Sequence, residues 1–251
     1  MTSVYDSARL AAGYAFDRPP LHERILRSAP LPRQADRALD VGCGAGLSTA
    51  ALAPLAREVI GLEPTPALLA HRQTVAPHAE FVIGQAELLP FPAGSFDLVT
   101  AAGSLNYTDL PSALAEIARV LTGDGTFLLY DFSSGRSSVH GEELAHWYAS
   151  FEERFPNPPG WQPIDVRELP LARYGLRLLD YTDLETRLPM NFDAYLRYAL
   201  SEVNVDDAIA RGACSAEQAR DWCGDTLTPV FADGSVTVLF PGYIAALARQ
   251  A

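Results

Sequence analysis

A glycine-rich run preceded by a carboxylate is the strongest chemical signal in the sequence. Asp40 comes just before Gly42, Gly44 and Gly46, and a short apolar run leads into them. Glycines at the carboxyl end of a parallel strand let backbone amides approach a ligand, because no Cβ stands between them. Three alternate glycines exceed what an ordinary strand-to-helix turn requires. The run therefore predicts a ligand-binding loop, and Asp40 would suit a cationic group and repel a pyrophosphate.

A second carboxylate, Glu63, ends the next apolar run, Val59 to Leu62. It lies about 20 residues after the first glycine, where doubly wound folds hydrogen-bond the two hydroxyls of a ribose. The alternative interpretation is a solvated loop acid or a helix N-cap. The glycine spacing is GxGxG rather than the GxGxxG of dinucleotide sites. Together the two carboxylates favour a nucleoside ligand without a pyrophosphate.

Alternating β and helical patterns predict how these residues are positioned. Strands are expected at 38–41, 58–62, 79–83, 96–101 and 126–132, with helices at 47–56, 66–76 and 110–121. Such alternation is typical of βαβ units and a parallel sheet. After Phe132 a helical aromatic segment, 140–155, and a proline-rich segment around Trp161 predict an inserted lid. A β pattern at 175–187, helices at 192–211 and 216–226, a short strand at 236–240 and a terminal helix are expected to follow.

Composition limits the kind of partner. The 251 residues are 48% hydrophobic, enough for one α/β domain, and the formal net charge is -12. Such a surface repels phosphate backbones and anionic lipid, so we expect a small-molecule substrate, no nucleic acid and no membrane. All 19 basic residues are arginine, which excludes a lysine Schiff base and a P-loop lysine. The three cysteines lack metal-ligand spacing, so no metal site is expected, and a cytoplasmic location is the default.

Signal-peptide and membrane-spanning patterns are not expected in this sequence. We expect a single domain over 1–251, in which 1–36 form an N-terminal cap and 37–132 the ligand-binding core. Residues 133–235 would form a lid and specificity region with one core strand, and 236–251 the final strand and helix.

The residues resemble a known family at this point. Asp40 to Gly46, Glu63-Pro64, Gly84 to Phe91 and Phe96 to Val99 are similar, in order and spacing, to the motifs of class I S-adenosylmethionine-dependent methyltransferases. The similarity covers roughly 38–131, and it is to the bacterial small-molecule group that includes quinone-biosynthesis methyltransferases. The resemblance implies an α/β, Rossmann-like fold: a mainly parallel seven-stranded sheet with an antiparallel last strand, plus helical lid insertions.

The resemblance also implies site roles. The three glycines would let the loop pass the amino-acid end of S-adenosylmethionine, whose cationic group the Asp40 carboxylate would suit, and Glu63 would accept hydrogen bonds from the ribose hydroxyls. The adenine would lie near Ala86 and Glu87, with Gln85 standing where the family often has Asp. The cofactor product would be S-adenosylhomocysteine. The remaining cofactor-binding residues would be Tyr14, Pro64, Ala101 and Ala102.

Acceptor and proton-transfer residues are less determined by the sequence. Methyl transfer from a sulfonium is an in-line displacement that proximity can drive, so a base is optional. If a proton must leave, the candidates are His140, His146, Tyr107, Asp131 and Glu142. Tyr5, Tyr14 and Phe16 could cover the cofactor or pack in the core. The acceptor pocket is predicted to include Asn106, Tyr107, Trp147, Trp161, Tyr195 and Tyr198.

Two alternatives to a methyltransferase stay open at this stage. An NAD(P)-dependent oxidoreductase would share the sheet, the glycine turn and the acid after the second strand. A non-catalytic S-adenosylmethionine-binding protein could keep the same fold. The sequence does not identify the acceptor, the methylated atom or the oligomeric state.

Overall fold

A computed structural model describes residues 5–29, 31, 34–139 and 141–250. Within these ranges the centre of the molecule is a sheet of eight strands, ordered β3-β2-β1-β4-β5-β8, with β6 and β7 both pairing β8. The first five are parallel to one another: β1 (Ala35–Val41), β2 (Ala56–Glu63), β3 (Glu80–Ile83), β4 (Phe96–Ala102) and β5 (Leu121–Phe132). Their carboxyl ends consequently meet at one edge of the sheet, which is where ligands bind in open α/β folds.

The central strands are buried on both faces. Leu39 and Val41 in β1, Leu62 in β2 and Val99 in β4 are inaccessible to solvent. Continuous apolar runs of this kind are typical of parallel sheets covered by helices. All five predicted strands of this region are confirmed, with ends shifted by up to five residues.

The carboxyl-terminal third completes the sheet with strands of the opposite direction. β7 (Leu176–Asn191) pairs along its length with β8 (Ser235–Arg249), and β8 runs antiparallel to both β5 and β7. The two-residue β6 (Ser137–Ser138) pairs β8 beyond the end of β5. The predicted fold class is confirmed, and β6 raises the expected seven strands to eight.

The predicted terminal helix is wrong, because β8 continues to Arg249. The segment is rich in alanine and leucine, which are strong helix formers. Ala245 and Leu247 nevertheless lie fully buried between two partner strands that satisfy the backbone hydrogen bonds. Tertiary pairing therefore overrides local propensity here.

Helices cover both faces of the sheet and one edge of the site. The amino-terminal cap consists of α1 (Ala8–Phe16) and α2 (Leu21–Leu26). The connections between the parallel strands contain α3 (Leu47–Ala51), α4 (Arg72–Val75) and α5 (Leu110–Val120). α3 and α4 are shorter than the predicted helices 47–56 and 66–76; part of the second is a 3-10 turn, Leu68–His71.

Four further helices form the lid region: α6 (Glu143–Arg154), α7 (Phe192–Leu200), α8 (Val203–Ala210) and α9 (Ala216–Leu227). Aromatic side chains join them, and Trp147 of α6 stacks on Phe151 with ring centroids 5.1 Å apart. The predicted helix 192–211 is two helices, because Ser201 ends α7 and Glu202 begins α8 in an extended conformation. In the described part of the chain, none of the helices has the length and apolar content needed to cross a bilayer.

Candidate functional site

A cavity of about 1310 Å³ lies at the carboxyl ends of the parallel strands, between the cap and the lid. It is lined by residues that follow β1, β2, β3, β4 and β5, and by cap and lid residues. Of the residues predicted for the site, those that line it are Tyr5, Tyr14, Gly42, Gly44, Glu63, Pro64, Gln85, Ala86, Glu87, Ala102, Tyr107, Asp131, Trp161 and Tyr198. The cavity thus joins the predicted cofactor residues to part of the predicted acceptor residues.

The glycine loop after β1 needs the conformations that glycine provides. Gly42, Gly44 and Gly46 all have positive φ, at 69°, 55° and 97°. A Cβ on Gly42 would lie 2.4 Å from the Cβ of Ser104, whereas on Gly44 it would meet only Tyr14, at 4.0 Å. The first glycine therefore lets two loops pack together, and the second keeps the backbone open to the cavity. Gly46 begins α3 and does not line the cavity.

Glu63 presents its carboxylate at the bottom of the cavity. One oxygen accepts the backbone N–H of Gly44 at 3.0 Å, and the other accepts that of Thr65 at 2.9 Å. Burial raises the pKa of Glu63, and the two backbone hydrogen bonds oppose that shift. Each oxygen keeps a lone pair for one further donor. Two such acceptors side by side fit the paired hydroxyls of a ribose.

Asp40 lies outside the cavity, which corrects its predicted contact with a cationic ligand group. Its carboxylate is fully buried and accepts three hydroxyl hydrogen bonds, from Ser48 at 2.6 Å, Thr49 at 2.7 Å and Thr100 at 2.9 Å. Burial raises the pKa of Asp40, and the three hydroxyl groups oppose that shift. The residue therefore joins α3 to β1 and β4 and positions the glycine loop.

The predicted adenine edge follows β3. Ala86 is buried and lines the cavity beside Gln85 and Glu87. The carboxylate of Glu87 accepts the backbone N–H of Asp109 at 2.9 Å, which ties this loop to the start of α5. Ala102, the last residue of β4, lines the cavity, whereas Ala101, one residue earlier in the same strand, does not.

Asp131 is the last residue but one of β5 and lines the acceptor side of the cavity. Its Oδ1 accepts the backbone N–H of Phe132 at 2.8 Å. Burial raises the pKa of Asp131 to about 6, although the hydrogen bond from Phe132 opposes this. A Cβ on Gly103 would lie 2.6 Å from Oδ1, so Asp131 fills the space above the end of β4. A carboxyl group in this state can bind or release a proton near neutral pH.

Two cavity residues of the cap escaped the sequence analysis. His22 is 3.0 Å from the hydroxyl of Tyr130 through Nδ1, and burial lowers its pKa to about 4, so the ring is neutral. Arg18 donates to Glu202 at 2.9 Å and lies over the ring of Tyr14 at 4.2 Å. A lone histidine and a lone arginine in the amino-terminal segment carry no spacing signal, so only the fold reveals them.

Several predicted acceptor and proton-transfer residues do not line the cavity. Trp147 packs in the aromatic core and donates to Thr226 at 2.8 Å; Tyr195 is fully buried and donates to the carbonyl of Gly135 at 2.6 Å. Both satisfy their polar atoms within the core, as buried aromatic residues usually do. Their helical spacing in the sequence cannot distinguish a core face from a pocket face.

Asn106 and the histidine candidates also differ from their predicted roles. Asn106 is buried and donates to the carbonyl of Gln162 at 2.9 Å, which fixes the proline-rich segment that carries Trp161. His146 is exposed on α6, 3.8 Å from Glu142, and neither lines the cavity. Phe16 is an exposed residue that packs on His71. His140 lies outside the described residues.

The cavity fits the S-adenosylmethionine that the sequence resemblance implies. Gly44 leaves a gap beside Tyr14 for a ligand, and the Glu63 oxygens offer acceptors for a diol. The aromatic ring of Tyr14 also suits a sulfonium cation. Across the described ranges of the chain, groups of three or more His, Cys, Asp or Glu residues arranged to hold a metal ion are absent.

Comparisons with known proteins agree with this geometry. A protein-family sequence model described as "Methyltransferase domain" matches residues 39–129. The uncharacterized methyltransferase YcgJ of Bacillus subtilis is 31% identical over 172 residues, which are 66% of this chain and 66% of YcgJ. Demethylmenaquinone methyltransferase of Beutenbergia cavernae is 33% identical over 117 residues, 45% of this chain and 49% of that enzyme.

Structural comparison extends the likeness over most of the molecule. The crystal structure of Bacillus subtilis YcgJ superposes with a TM-score of 0.56 and 23% sequence identity, covering 92% of this chain and 98% of the other. At that identity the superposition reports the fold alone. The sequence alignments span between about half and two thirds of the two curated relatives' own lengths.

Proposed function

The chain belongs to the class I S-adenosylmethionine-dependent methyltransferases, and from that premise we propose that it methylates a small-molecule acceptor in the cavity between cap and lid. The observation that carries the proposal is the continuity of this cavity. It runs from Glu63 and the glycine loop to Asp131, Tyr107 and Trp161 without an intervening wall. Donor and acceptor could therefore meet in one continuous cavity, as an in-line displacement requires.

The residues of the chain would divide the work between binding and alignment. The Glu63 carboxylate binds the ribose hydroxyls, and Gly44 lets the backbone approach the amino-acid end. S-adenosylmethionine supplies an activated methyl group on a sulfonium with a good leaving group. Tyr14 and Tyr107, on the cap and after β4, cover the cavity and exclude water. Catalysis would then depend chiefly on proximity and orientation.

A small molecule suits this cavity better than a polymer. The opening lies between the cap and the lid, and the chain carries a net charge of -12, which repels nucleic acid and anionic lipid. Glu202 pairs with Arg18, so an ion pair between two residues that line the cavity joins the cap to the start of α8. A cytoplasmic location remains part of the same proposal.

Calorimetric titration tests the donor half of the proposal. S-adenosylhomocysteine and S-adenosylmethionine should bind, and Glu63→Ala should weaken the product's binding by about 1.5 to 3 kcal/mol, the range for hydrogen bonds to a charged group. Glu58→Ala is the matched control, because Glu58 lies on the same strand with an exposed side chain. Unchanged affinity in the Glu63 variant would remove that residue from the site.

A titration with NADH and an assay of methyl transfer separate the alternatives. Tight NADH binding without any response to S-adenosylhomocysteine would reject the proposal in favour of an oxidoreductase. Binding of the nucleoside with no methyl transfer over a broad panel of hydroxyl, amine, thiol and carbon acceptors would favour a non-catalytic protein.

A further inference from the structure

We propose that Asp131 is the catalytic base of this methyltransferase and that it accepts the proton of a neutral hydroxyl on a planar acceptor, so that oxygen is the atom methylated. The inference rests on the proposed function, because it assigns the acceptor half of the same cavity. The position of the carboxylate, its unused oxygen and its lack of an ion-pair partner among the described residues support the assignment.

Asp131 lies in the same cavity as the residues proposed to bind the methyl donor. It is the last residue but one of β5, and its Oδ1 occupies the space that a side chain on Gly103 would need. Gly103 follows Ala102 at the end of the neighbouring strand, and both line the cavity. The carboxylate therefore stands beside the loop that follows β4, in the same cavity as Gly44 and Glu63.

One oxygen of Asp131 is available to a ligand. Oδ1 accepts the backbone N–H of Phe132, and among the described residues no hydrogen-bond donor approaches Oδ2. Since Asp131 lines the cavity, that second oxygen can accept a hydrogen bond from a bound hydroxyl. Glu63 differs, because both of its oxygens already accept backbone N–H groups.

The cations on this side of the cavity are held by other carboxylates. Arg18 pairs with Glu202 at 2.9 Å, and Arg136 pairs with Glu152 at 3.3 Å. Within the part of the chain that the structure describes, Asp131 forms no ion pair. Its charge is consequently uncompensated in a buried place, and burial raises its pKa to about 6. Such a carboxyl group gains more from taking up a proton than a solvated one does.

A neutral hydroxyl suits this carboxylate better than an amine does. A buried carboxylate beside an ammonium would form an ion pair, which stabilises the protonated nitrogen and keeps its lone pair from attacking. A hydroxyl already has a lone pair for the methyl carbon while its O–H points at Oδ2. The walls, Phe132, Tyr107, Tyr243 and Trp161, are aromatic and favour a planar acceptor.

The step balances with the groups present. The hydroxyl oxygen forms a bond to the methyl carbon as the carbon–sulfur bond breaks and its electron pair stays on sulfur. The O–H bond breaks, and the proton moves to Asp131 Oδ2. The products are a methyl ether, S-adenosylhomocysteine and a protonated Asp131, which later releases its proton to water.

The titratable groups that face Asp131 do not compete for this proton. Tyr107 faces it from the turn after β4 and Tyr243 from β8, and burial raises the pKa of both phenols. His22 lines the same cavity from the cap, and its lowered pKa of about 4 makes it a weaker base than Asp131. Asp131 is therefore the stronger base of the two.

Methyl transfer to matched acceptors tests the proposal. Phenol, catechol and 1-naphthol would be offered together with benzylamine, 1,2-bis(aminomethyl)benzene and 1-naphthylmethylamine, which are ammonium ions at neutral pH, using S-adenosylmethionine labelled in its methyl group. We expect label only in the hydroxyl set, as methyl ethers by mass spectrometry. Asp131→Asn should lower kcat by about 100-fold or more, the usual contribution of a general base, with KM little changed.

Controls separate this inference from the proposed function. Asp180→Asn makes the same change at an exposed carboxylate of β7 and should keep the wild-type rate. The wild-type rate should fall below pH 6 as Asp131 becomes protonated, and His22→Gln should keep that dependence. S-adenosylhomocysteine should bind the wild type and the Asp131 variant equally by calorimetry.

Each adverse result has one meaning. Label in the amine set alone, a carbon-methylated product, no label in either set, or full activity of Asp131→Asn would overturn the assignment of Asp131 and a hydroxyl acceptor. If His22→Gln lost activity while Asp131→Asn kept it, the base would be His22 of the cap. Failure of the wild type to bind either form of the nucleoside would instead reject the proposed function.

Discussion

At the scale of single residues, Asp40 and Glu63 show how contacts decide the role of a carboxylate. Asp40 lies near the end of β1 and Glu63 is the last residue of β2, and both are beside the same glycine loop. Asp40 accepts three side-chain hydroxyls and is closed to solvent, whereas Glu63 accepts two backbone N–H groups and lines the cavity. The first therefore stabilises the loop, and the second can bind a ligand.

Asp40→Ala should destabilise the folded protein, because Asp40 contacts buried side chains rather than the cavity. The substitution leaves buried hydroxyls of Ser48, Thr49 and Thr100 without their acceptor, and each unsatisfied buried group costs about 1 to 3 kcal/mol. We expect the free energy of unfolding in urea to fall by about 3 kcal/mol or more. Glu58→Ala, on the exposed part of β2, should change it by less than about 1 kcal/mol. Equal effects in both variants would contradict the buried role of Asp40.

Gly42→Ala should separate backbone strain from steric conflict. The φ of 69° disfavours alanine, and its Cβ would lie 2.4 Å from Ser104 Cβ. Gly212→Ala is the matched control: φ is 72° and no atom lies within 4 Å of the new Cβ. The control should lose about 1 to 2 kcal/mol of unfolding free energy from strain alone. The Gly42 variant should lose more and bind S-adenosylhomocysteine more weakly; equal losses would exclude a packing role.

At the scale of elements, polar pairs hold the cap on the lid. Arg9 of α1 and Ser7 at its start both bond Asp206 of α8, at 2.9 and 3.0 Å. Arg18, just after α1, pairs with Glu202 at the start of α8, and both side chains are largely buried. These contacts join segments nearly 200 residues apart, so cap and lid cover the cavity as one unit.

Glu202→Gln should loosen this cover. Removal of one partner from a buried ion pair leaves the Arg18 charge uncompensated and costs about 3 to 5 kcal/mol. Amide hydrogen exchange should then accelerate in α1, Ala8–Phe16, while β1 stays protected. Arg211→Gln, which removes the half-exposed cation of the ion pair with Asp207 at the end of α8, is the control and should leave α1 unchanged. Slow exchange of α1 in the Glu202 variant would show that other contacts hold the cap.

At the scale of the whole molecule, two cavity groups influence stability in opposite directions. Burial raises the pKa of Asp131 to about 6, so its contribution is fully present below its unfolded pKa near 4 and is lost as the pH rises through 6. Burial lowers the pKa of His22 to about 4, so its contribution is present above its unfolded pKa near 6.5 and is lost as the pH falls through 4. The two dependences partly cancel between those limits.

Asp131→Asn should therefore stabilise the protein at alkaline pH. It removes a buried charge, and a pKa shift of about 2 units corresponds to about 3 kcal/mol. We expect the free energy of unfolding to rise by about 2 to 3 kcal/mol at pH 8 and to change little at pH 4, where the wild-type carboxyl group is protonated. Denaturant curves at both pH values measure this. An equal change at pH 4 and pH 8 would mean that the charge of Asp131 is not responsible.

The sequence by itself determined the parallel half of the sheet and the donor side of the site. Continuous apolar runs identify β1 to β5, because strands buried on both faces need them. Gly42, Gly44 and Glu63 could be placed at the cavity because they follow those strands directly. Local patterns are sufficient wherever a functional residue lies within a few positions of a strand end.

Only the tertiary structure decided which residues face the cavity from elsewhere. The alanine-rich end of the chain became a strand because β5 and β7 flank it, and Trp147 and Tyr195 became core residues because other helices cover them. His22, Arg18 and the open oxygen of Asp131 were revealed only by contacts between distant segments. The physical reason is that burial and hydrogen bonding depend on neighbours in space, which periodicity along the chain does not encode.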